Sequence, residues 1–175
     1  MLTAGAACLG VVGLSLLDAH RLEVRVKDRL GATPASPPAS GPPRPTVGEP
    51  IGMIEAPRLG LSAAVVEGID DGVLRRAVGH FPQTALPGES GNVALAGHRD
   101  TFFRPLARVR DGDRITMSTP RGDYHYQVVK TWIVDPESTE VLDPEGDLPS
   151  LTLVTCYPVD APPAGGPLRL VVTAL

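Results

Sequence analysis

The chain contains 175 residues (18.3 kDa), which is enough for one domain and a short appendage. It carries 16 Lys and Arg residues against 20 Asp and Glu residues, for a formal net charge of −4. Because nucleic-acid binding needs a concentrated basic patch, this balance argues against nucleic acid as a partner. The two cysteines, Cys8 and Cys156, stand at opposite ends of the chain, which argues against a disulfide framework and against a thiolate zinc site.

The first 17 residues carry no charged side chain and predict a membrane anchor. This run is short for a spanning helix, and it lacks the basic residues that begin a signal peptide. Basic residues follow it instead, beginning at His20 and Arg21. The positive-inside rule, applied to these basic residues, places the next domain in the cytoplasm. A start codon assigned too far downstream would give the same distribution of charge, because it would remove basic residues that precede the apolar run. A buried core helix is the alternative, and the segment has no amphipathic pattern to support it.

A helix and a linker are predicted after this run. Residues 18–30 continue as a predicted juxtamembrane helix, so that residues 1–30 form the anchor region. Residues 31–50 contain seven prolines together with Ala, Ser and Gly, a composition that prevents a helix and predicts a semi-rigid linker. A linker placed between an anchor and a domain indicates a domain that works at some distance from a membrane.

The remaining chain, residues 51–175, alternates short β-like runs with turns. Two short helical stretches, 71–78 and 102–109, interrupt this pattern, and Pro105 limits the second to about one turn. Many short strands with few helices predict a mainly β domain built as a closed or nearly closed barrel. The predicted strands are 51–55, 62–66, 92–97, 113–118, 124–135, 150–155 and 168–174.

Cys156 follows an apolar strand-like run and precedes Pro158, where strand pairing must stop, so its sulfur can be exposed at the rim of a sheet. A lone cysteine is more often a buried structural residue.

Nucleophilic use requires a partner that transfers protons, and His98 also stands where a buried-strand pattern ends. His80 could equally be a packing residue, and His125 is typical of a surface position within a strand. A Cys156–His98 pair at adjacent strand ends would give an activated thiol and an acid for the leaving group.

Arg169 stands among apolar residues in the last predicted strand. Simple alternation would turn it toward solvent. If Arg169 has a catalytic role, that role would be to donate hydrogen bonds from a fixed position to a developing oxyanion. The acidic pairs Asp70–Asp71 and Asp111/Asp113 are typical of turns, so neither a metal nor a cofactor is expected.

Two motifs of the predicted barrel carry a family resemblance. LTLVTCYP at 151–158 matches the TLxTC signature of sortases, and GNVALAGHRDTFF at 91–103 matches the histidine segment of the same family. Residues 52–68 and 77–92 resemble the family's first strands and following loop. The resemblance covers about residues 51–175 and is strongest to the class D branch, whereas the residues after the cysteine look more like sortases of Gram-negative bacteria.

The resemblance implies an eight-stranded sortase-type β-barrel with the activity of a cysteine transpeptidase. Carried over to this chain, it implies that Cys156 is the nucleophile, that His98 is the general acid and base, and that Arg169 positions the oxyanion or the substrate. Three further residues of the cysteine motif are expected to contact the substrate: Thr152, Thr155 and Tyr157.

The implied reaction cleaves an LPxTG-like sorting signal at the C-terminus of a secreted protein. The acyl product is transferred to an amine of the cell envelope, which anchors surface proteins. Such an enzyme is expected in the cell membrane, held by a single pass at its N-terminus, with the catalytic domain on the extracytoplasmic side. An L,D-transpeptidase-like cell-wall enzyme is the alternative, although the setting Thr155-Cys156-Tyr157 lacks its Gly-Cys-x-Arg type motif. The alternative that is not an enzyme is a catalytically silent barrel that binds envelope peptides.

Overall fold

The computed structural model of the chain describes residues 18–28, 30, 44–143, 148–160 and 166–175. The strands are β1 (Pro50–Ala56), β2 (Leu61–Glu67), β3 (Val78–His80), β4 (Asn92–Ala96), β5 (Arg114–Thr119), β6 (Gly122–Val134), β7 (Ser150–Tyr157) and β8 (Leu168–Ala174). The helical elements of these residues are α1 (residues 18–28), α2 (Asp71–Leu74) and the 3-10 helices Arg104–Arg108 and Glu140–Leu142.

The eight strands form a closed barrel in the order β1-β2-β3-β4-β7-β8-β6-β5, which confirms the predicted barrel. The pairs β2–β3 and β4–β7 are parallel, and the other pairs are antiparallel. Apolar side chains at every second position of the strands fill the interior, as the period of two in a strand requires. The core includes Ile54, Val65, Leu95, Ile115, Leu153 and Val172, all fully buried.

The barrel closes where β1 pairs with β5, and a glycine allows the close approach at this seam. A Cβ atom added to Gly52 would lie 2.1 Å from the backbone oxygen of Ser118, which no side chain could tolerate. The absence of a side chain at Gly52 therefore lets β5 approach β1 closely.

Strand β3 is missing from the sequence prediction, which extends a helix over residues 71–78. The helix α2 ends at Leu74, and the chain enters β3 at Val78. Asp70 caps α2 through Oδ1, which accepts hydrogen bonds from the backbone of Gly72 at 2.8 Å and of Val73 at 3.2 Å. Three residues are too short to show a period of two. Only their pairing with β2 and β4 makes them a strand.

The helix α1 packs on the outside of the barrel. Leu22, Val26 and Leu30 follow one another at intervals of four residues and therefore share one helix face. Val26 is 2% exposed and lies in a cluster with Met53 of β1 and Ala64 of β2, against which Leu22 and Leu30 also pack. The predicted juxtamembrane helix is thus a docked part of the barrel's outer layer.

The residues on both sides of the proline-rich segment 31–43 are attached to the barrel. On one side is Leu30 of the docked region. On the other, Arg44 donates hydrogen bonds to the backbone oxygens of Pro82 and Thr84 and pairs with Glu89 at 3.2 Å. Residues 31–43 themselves lie outside the described part of the chain. The residues that flank segment 31–43 therefore both contact the barrel, and β1 begins at Pro50, one residue before the predicted boundary.

An ion pair joins two turns at one end of the barrel. Arg58, in the β1–β2 turn, donates two hydrogen bonds to the carboxylate of Asp113, which precedes β5. The hydrogen bond from Arg58 holds the pKa of Asp113 below its usual range, and a bond from the backbone N–H of Arg110 adds to the effect. Asp113 is thus a structural turn residue. In the described ranges, no three His, Cys, Asp or Glu residues are grouped as metal ligands.

The predicted membrane anchor falls on residues 1–17, which lie outside the described residues. Within the described part, no helix combines the length and the apolar character needed to cross a bilayer.

The docking of α1 predicts unequal effects for two valines of the same helix. We expect Val26→Ala to lower the free energy of unfolding by about 2 kcal/mol, because it removes two buried methyl groups and leaves a cavity. Val24, which is 45% exposed, provides the control, and Val24→Ala should change the stability by less than about 0.5 kcal/mol. Urea-induced unfolding of the full chain measures both. Equal effects of the two substitutions would contradict the docking.

Candidate active site

The strand register places Cys156 opposite Arg169. Cys156 lies near the end of β7, and Arg169 is its direct partner near the start of β8. Direct partners in an antiparallel pair project their side chains to the same face of the sheet. The interior positions of β7 are Leu151 and Leu153, so Cys156 and Arg169 lie on the outer face of the barrel. Both residues are partly exposed.

His98 reaches the same edge of the sheet from β4. The strands β4 and β7 run parallel, and their last paired residues are Ala96 and Val154. The ladder ends with a hydrogen bond of 3.2 Å from the backbone of Gly97 to the oxygen of Val154. His98 lies two residues beyond Ala96, as Cys156 lies two residues beyond Val154. Cys156 and Arg169 therefore stand on the adjacent strands β7 and β8, and His98 stands just beyond the end of β4, the other neighbour of β7, at one edge of the barrel.

The loop that carries His98 is tied to the segment that carries Cys156 on both sides of the histidine. Thr155 donates a hydrogen bond of 2.7 Å through its hydroxyl to the backbone oxygen of Gly97. Arg99 donates a hydrogen bond of 2.7 Å through Nη1 to the backbone oxygen of Pro158. These two contacts extend the association of β4 and β7 past the last backbone hydrogen bond of the ladder.

The guanidinium of Arg169 is held by the backbone of its own turn. Nη1 donates to the oxygen of Gly166 at 3.1 Å and to the oxygen of Leu168 at 3.0 Å. Among the hydrogen bonds of the described residues, Nε and Nη2 of Arg169 have no protein partner. Donors of this planar group thus remain for an oxygen atom of a bound molecule near Cys156.

The chain approaches the cysteine closely at Gly166, just before β8. A Cβ atom added to Gly166 would lie 2.5 Å from the backbone oxygen of Tyr157 and 3.1 Å from the Cβ atom of Cys156. A side chain here would displace the nucleophile segment, so a glycine is required.

The three residues expected to contact substrate have other contacts in the structure. The hydroxyl of Thr152, which is 3% exposed, donates to Oδ1 of Asn92 at 2.9 Å. Thr155 is also 3% exposed and its hydroxyl is bonded to Gly97. The half-buried Tyr157 packs against the barrel core. The buried hydroxyls of Thr152 and Thr155 therefore hold the strands together, and the contact of these residues with a substrate stays a prediction.

Asn92 explains why Thr152 is buried. Its side-chain amide donates to the backbone oxygens of Val141 and Leu142, in the 3-10 helix between β6 and β7. Its Oδ1 accepts hydrogen bonds from Thr152 and from Ser150. This network fixes the β6–β7 connection to the outer face of β4 and β7, the same face that carries Cys156.

The other two histidines of the barrel are separate from this edge. His80 is fully buried: its Nδ1 lies 2.8 Å from Oε2 of Glu67, and its Nε2 lies 2.9 Å from the oxygen of Ala85. His125 is exposed in β6 and contacts the hydroxyl of Thr116 at 3.1 Å. His80 is thus a packing residue and His125 a surface residue.

A cavity of about 620 Å³ opens beside the catalytic edge. It lies between the residues that follow His98 and the residues that follow Cys156, and Arg99 forms part of its wall. The other residues that line it are Asp100, Thr101, Arg104, Pro105, Ala107, Arg108, Val159 and Asp160.

Comparisons with known proteins agree with this geometry. A family model of the sortase domain matches residues 54–175. Sortase D of Bacillus subtilis (strain 168) is 31% identical over 171 residues, which cover 90% of this chain and 86% of that protein. A solved sortase D5 transpeptidase from Clostridium perfringens has a TM-score of 0.75 at 25% identity, covering 90% of this chain and 96% of that one. The SrtA sortase from Actinomyces oris has a TM-score of 0.65 at 32% identity, covering 82% and 86% respectively.

The placement of the histidines predicts two different kinds of defect. We expect His98→Ala to unfold like the parent protein but to lower the catalytic rate by about 10²–10⁴-fold, the usual effect of removing a general acid and base. We expect His80→Ala to lower the free energy of unfolding by about 3 kcal/mol, because it leaves the buried Glu67 carboxylate without its partner.

The rate per folded molecule should change little in His80→Ala, and His125→Gln serves as the control for both measurements. Urea-induced unfolding and turnover are measured on the same samples. Equal losses of rate in well-folded His80 and His98 variants would mean that His98 is the wrong histidine.

Proposed function

Because the chain belongs to the sortase family of cysteine transpeptidases, we propose that it cleaves an LPxTG-like sorting signal and transfers the acyl product to an amine of the cell envelope. The observation that carries this proposal is the strand register at one edge of the barrel. It sets Cys156 opposite Arg169 and places His98 at the end of the neighbouring parallel strand. A thiol, an imidazole and a guanidinium at one edge of a barrel are the groups that acyl transfer through a thioester requires.

In the first half of the reaction, the thiolate of Cys156 attacks the carbonyl carbon of the Thr residue in the sorting signal. A C–S bond forms, and the C–N bond to the following residue breaks. His98 donates a proton to the departing amine, which makes it a better leaving group. The donors of Arg169 that have no protein partner face the negative charge that develops on the carbonyl oxygen.

In the second half, an amine of the acceptor attacks the thioester carbon. A new C–N bond forms, the C–S bond breaks, and Cys156 leaves as a thiolate. His98 accepts the proton that the attacking amine loses, so that both catalytic groups return to their initial state. Anchoring of a secreted protein follows when the acceptor is fixed in the envelope.

The partners and the location of the protein follow from this reaction. The donor is a secreted protein that bears a C-terminal sorting signal, and the acceptor is an amine of the envelope. We propose that residues 1–17 hold the enzyme in the cell membrane as a single pass, with the barrel on the extracytoplasmic side. The uncharged character of those residues and the site of the reaction support this arrangement.

The removal of the nucleophile tests the reaction most directly. We expect Cys156→Ala to abolish both cleavage and transfer, because no thioester can form without the sulfur. The assay uses a fluorogenic sorting-signal peptide with and without an added amine, and mass spectrometry of the wild type detects an acyl group on Cys156. Cys8→Ala is the matched control and should retain both activities. Residual transfer by Cys156→Ala would exclude the thioester, and a wild-type protein that binds the peptide without cleaving it would be a silent barrel.

Arg169→Lys tests whether Arg169 supports the oxyanion. A lysine retains the charge and can bond one backbone oxygen, but it cannot reproduce the planar set of donors that Nη1, Nη2 and Nε provide. We expect the variant to fold normally, to keep most of its peptide affinity and to lose about 10²–10³-fold in acylation rate.

Single-turnover acylation of Cys156 by a sorting-signal peptide gives this rate, and thermal unfolding is the control for folding. An unchanged acylation rate would mean that Arg169 is a surface residue held by its own turn and does not support the oxyanion.

A further inference from the structure

The residue that follows His98 makes an unusual contact for its position. Arg99 leaves a strand end at the surface of the barrel, where an arginine is ordinarily solvated. It is nevertheless only 6% exposed, and its Nη1 donates a hydrogen bond of 2.7 Å to the backbone oxygen of Pro158. Burial of a guanidinium is costly unless hydrogen bonds compensate, so this side chain is held in place by specific partners.

The bond from Arg99 complements the bond from Thr155. Thr155, immediately before the nucleophile, binds the oxygen of Gly97, immediately before the histidine. Arg99, immediately after the histidine, binds the oxygen of Pro158, two residues after the nucleophile. The two bonds therefore join the residues on either side of His98 to residues on either side of Cys156.

The bond lies where regular pairing can no longer set the geometry. The backbone ladder between β4 and β7 ends at Gly97, and the chain then folds back on itself through a bond of 3.0 Å from the backbone of Phe103 to the oxygen of His98. Beyond the ladder, side-chain contacts decide how far the imidazole of His98 lies from the sulfur of Cys156.

We propose that Arg99 is a positioning residue that fixes the imidazole of His98 against the thiol of Cys156 by its bond to Pro158. The proposal rests on the catalytic roles of His98 and Cys156 given above. Arg99 itself touches neither substrate nor reacting atoms. It acts on the catalytic step because a misplacement of a catalytic group by about 1 Å lowers rates by up to about 10²-fold.

A competing use of Arg99 is to bind a substrate in the cavity whose wall it forms. Its low exposure and its direction toward Pro158 argue against this use. The two roles predict different kinetics. A substrate-binding arginine affects mainly KM, whereas a positioning residue affects mainly kcat.

The experiment compares Arg99→Gln, Arg99→Lys and a control, Arg44→Gln. Arg44 also donates from its guanidinium to a backbone oxygen, that of Thr84 at 3.1 Å, but it lies outside the cavity and away from the cysteine segment. We expect Arg99→Gln to lower kcat for single-turnover acylation by about 10–100-fold with KM changed less than about twofold. Arg99→Lys should recover part of the loss, and Arg44→Gln should match the wild type.

A second readout requires no peptide. The rate of alkylation of Cys156 by iodoacetamide depends on activation of the thiol by the neighbouring imidazole. We expect Arg99→Gln to move this rate toward that of His98→Ala. Rates are normalised to folded protein from thermal unfolding, so that lost stability alone cannot imitate the effect, and Arg99→Lys covers the case in which the glutamine variant does not fold.

Wild-type acylation and alkylation rates in the folded Arg99 variants would overturn the proposal, and so would a loss confined to KM. A wild-type protein that no sorting-signal peptide acylates would count against the proposed function alone. In that case the alkylation rates would still decide whether Arg99 positions His98 against Cys156.

Discussion

The site depends on the parallel pairing of β4 with β7. Five residue pairs, from Asn92 with Ser150 to Ala96 with Val154, lock the two strands in one register. A slip of two residues would keep every side chain on its face of the sheet, but it would move His98 by about 7 Å relative to Cys156. Such a slip would also disturb the interior packing of Leu95 with its neighbours. The hydrophobic core therefore determines the geometry of the catalytic edge.

The sequence predicts much of this fold because seven of the eight strands appear as short β-like runs separated by turns. The two motif segments contain His98 and Cys156 where such runs end. What escapes prediction depends on contacts distant in sequence. The short strand β3 exists only through its neighbours, and the docking of α1 requires a partner surface formed by β1 and β2.

For the site residues, too, contacts distant in sequence decide what the sequence alone does not predict. Proximity to a nucleophile along the chain does not determine how a side chain is buried, and the threonines of the cysteine motif show why. Thr155 alternates to the inner side of its strand, whereas Thr152 is on the outer face but beneath the β6–β7 connection held by Asn92. In the sequence, Arg99 is a charged residue next to His98. Only its burial and its bond to Pro158 distinguish it from an ordinary solvated arginine.

The attachment of α1 bears on the reach that the proposed anchor would give to the barrel. A proline-rich segment between an anchor and a domain would let the domain sweep a radius set by the segment's length. Here Leu30 and Arg44 are both fixed to the barrel, so residues 31–43 connect two points on one body and add nothing to that radius. Ala19, near the start of α1, lines a cavity with Asp100 and Thr101, close after His98. The described chain therefore begins on the side of the barrel that carries His98. In the anchoring that we propose, donor and acceptor would meet on that side.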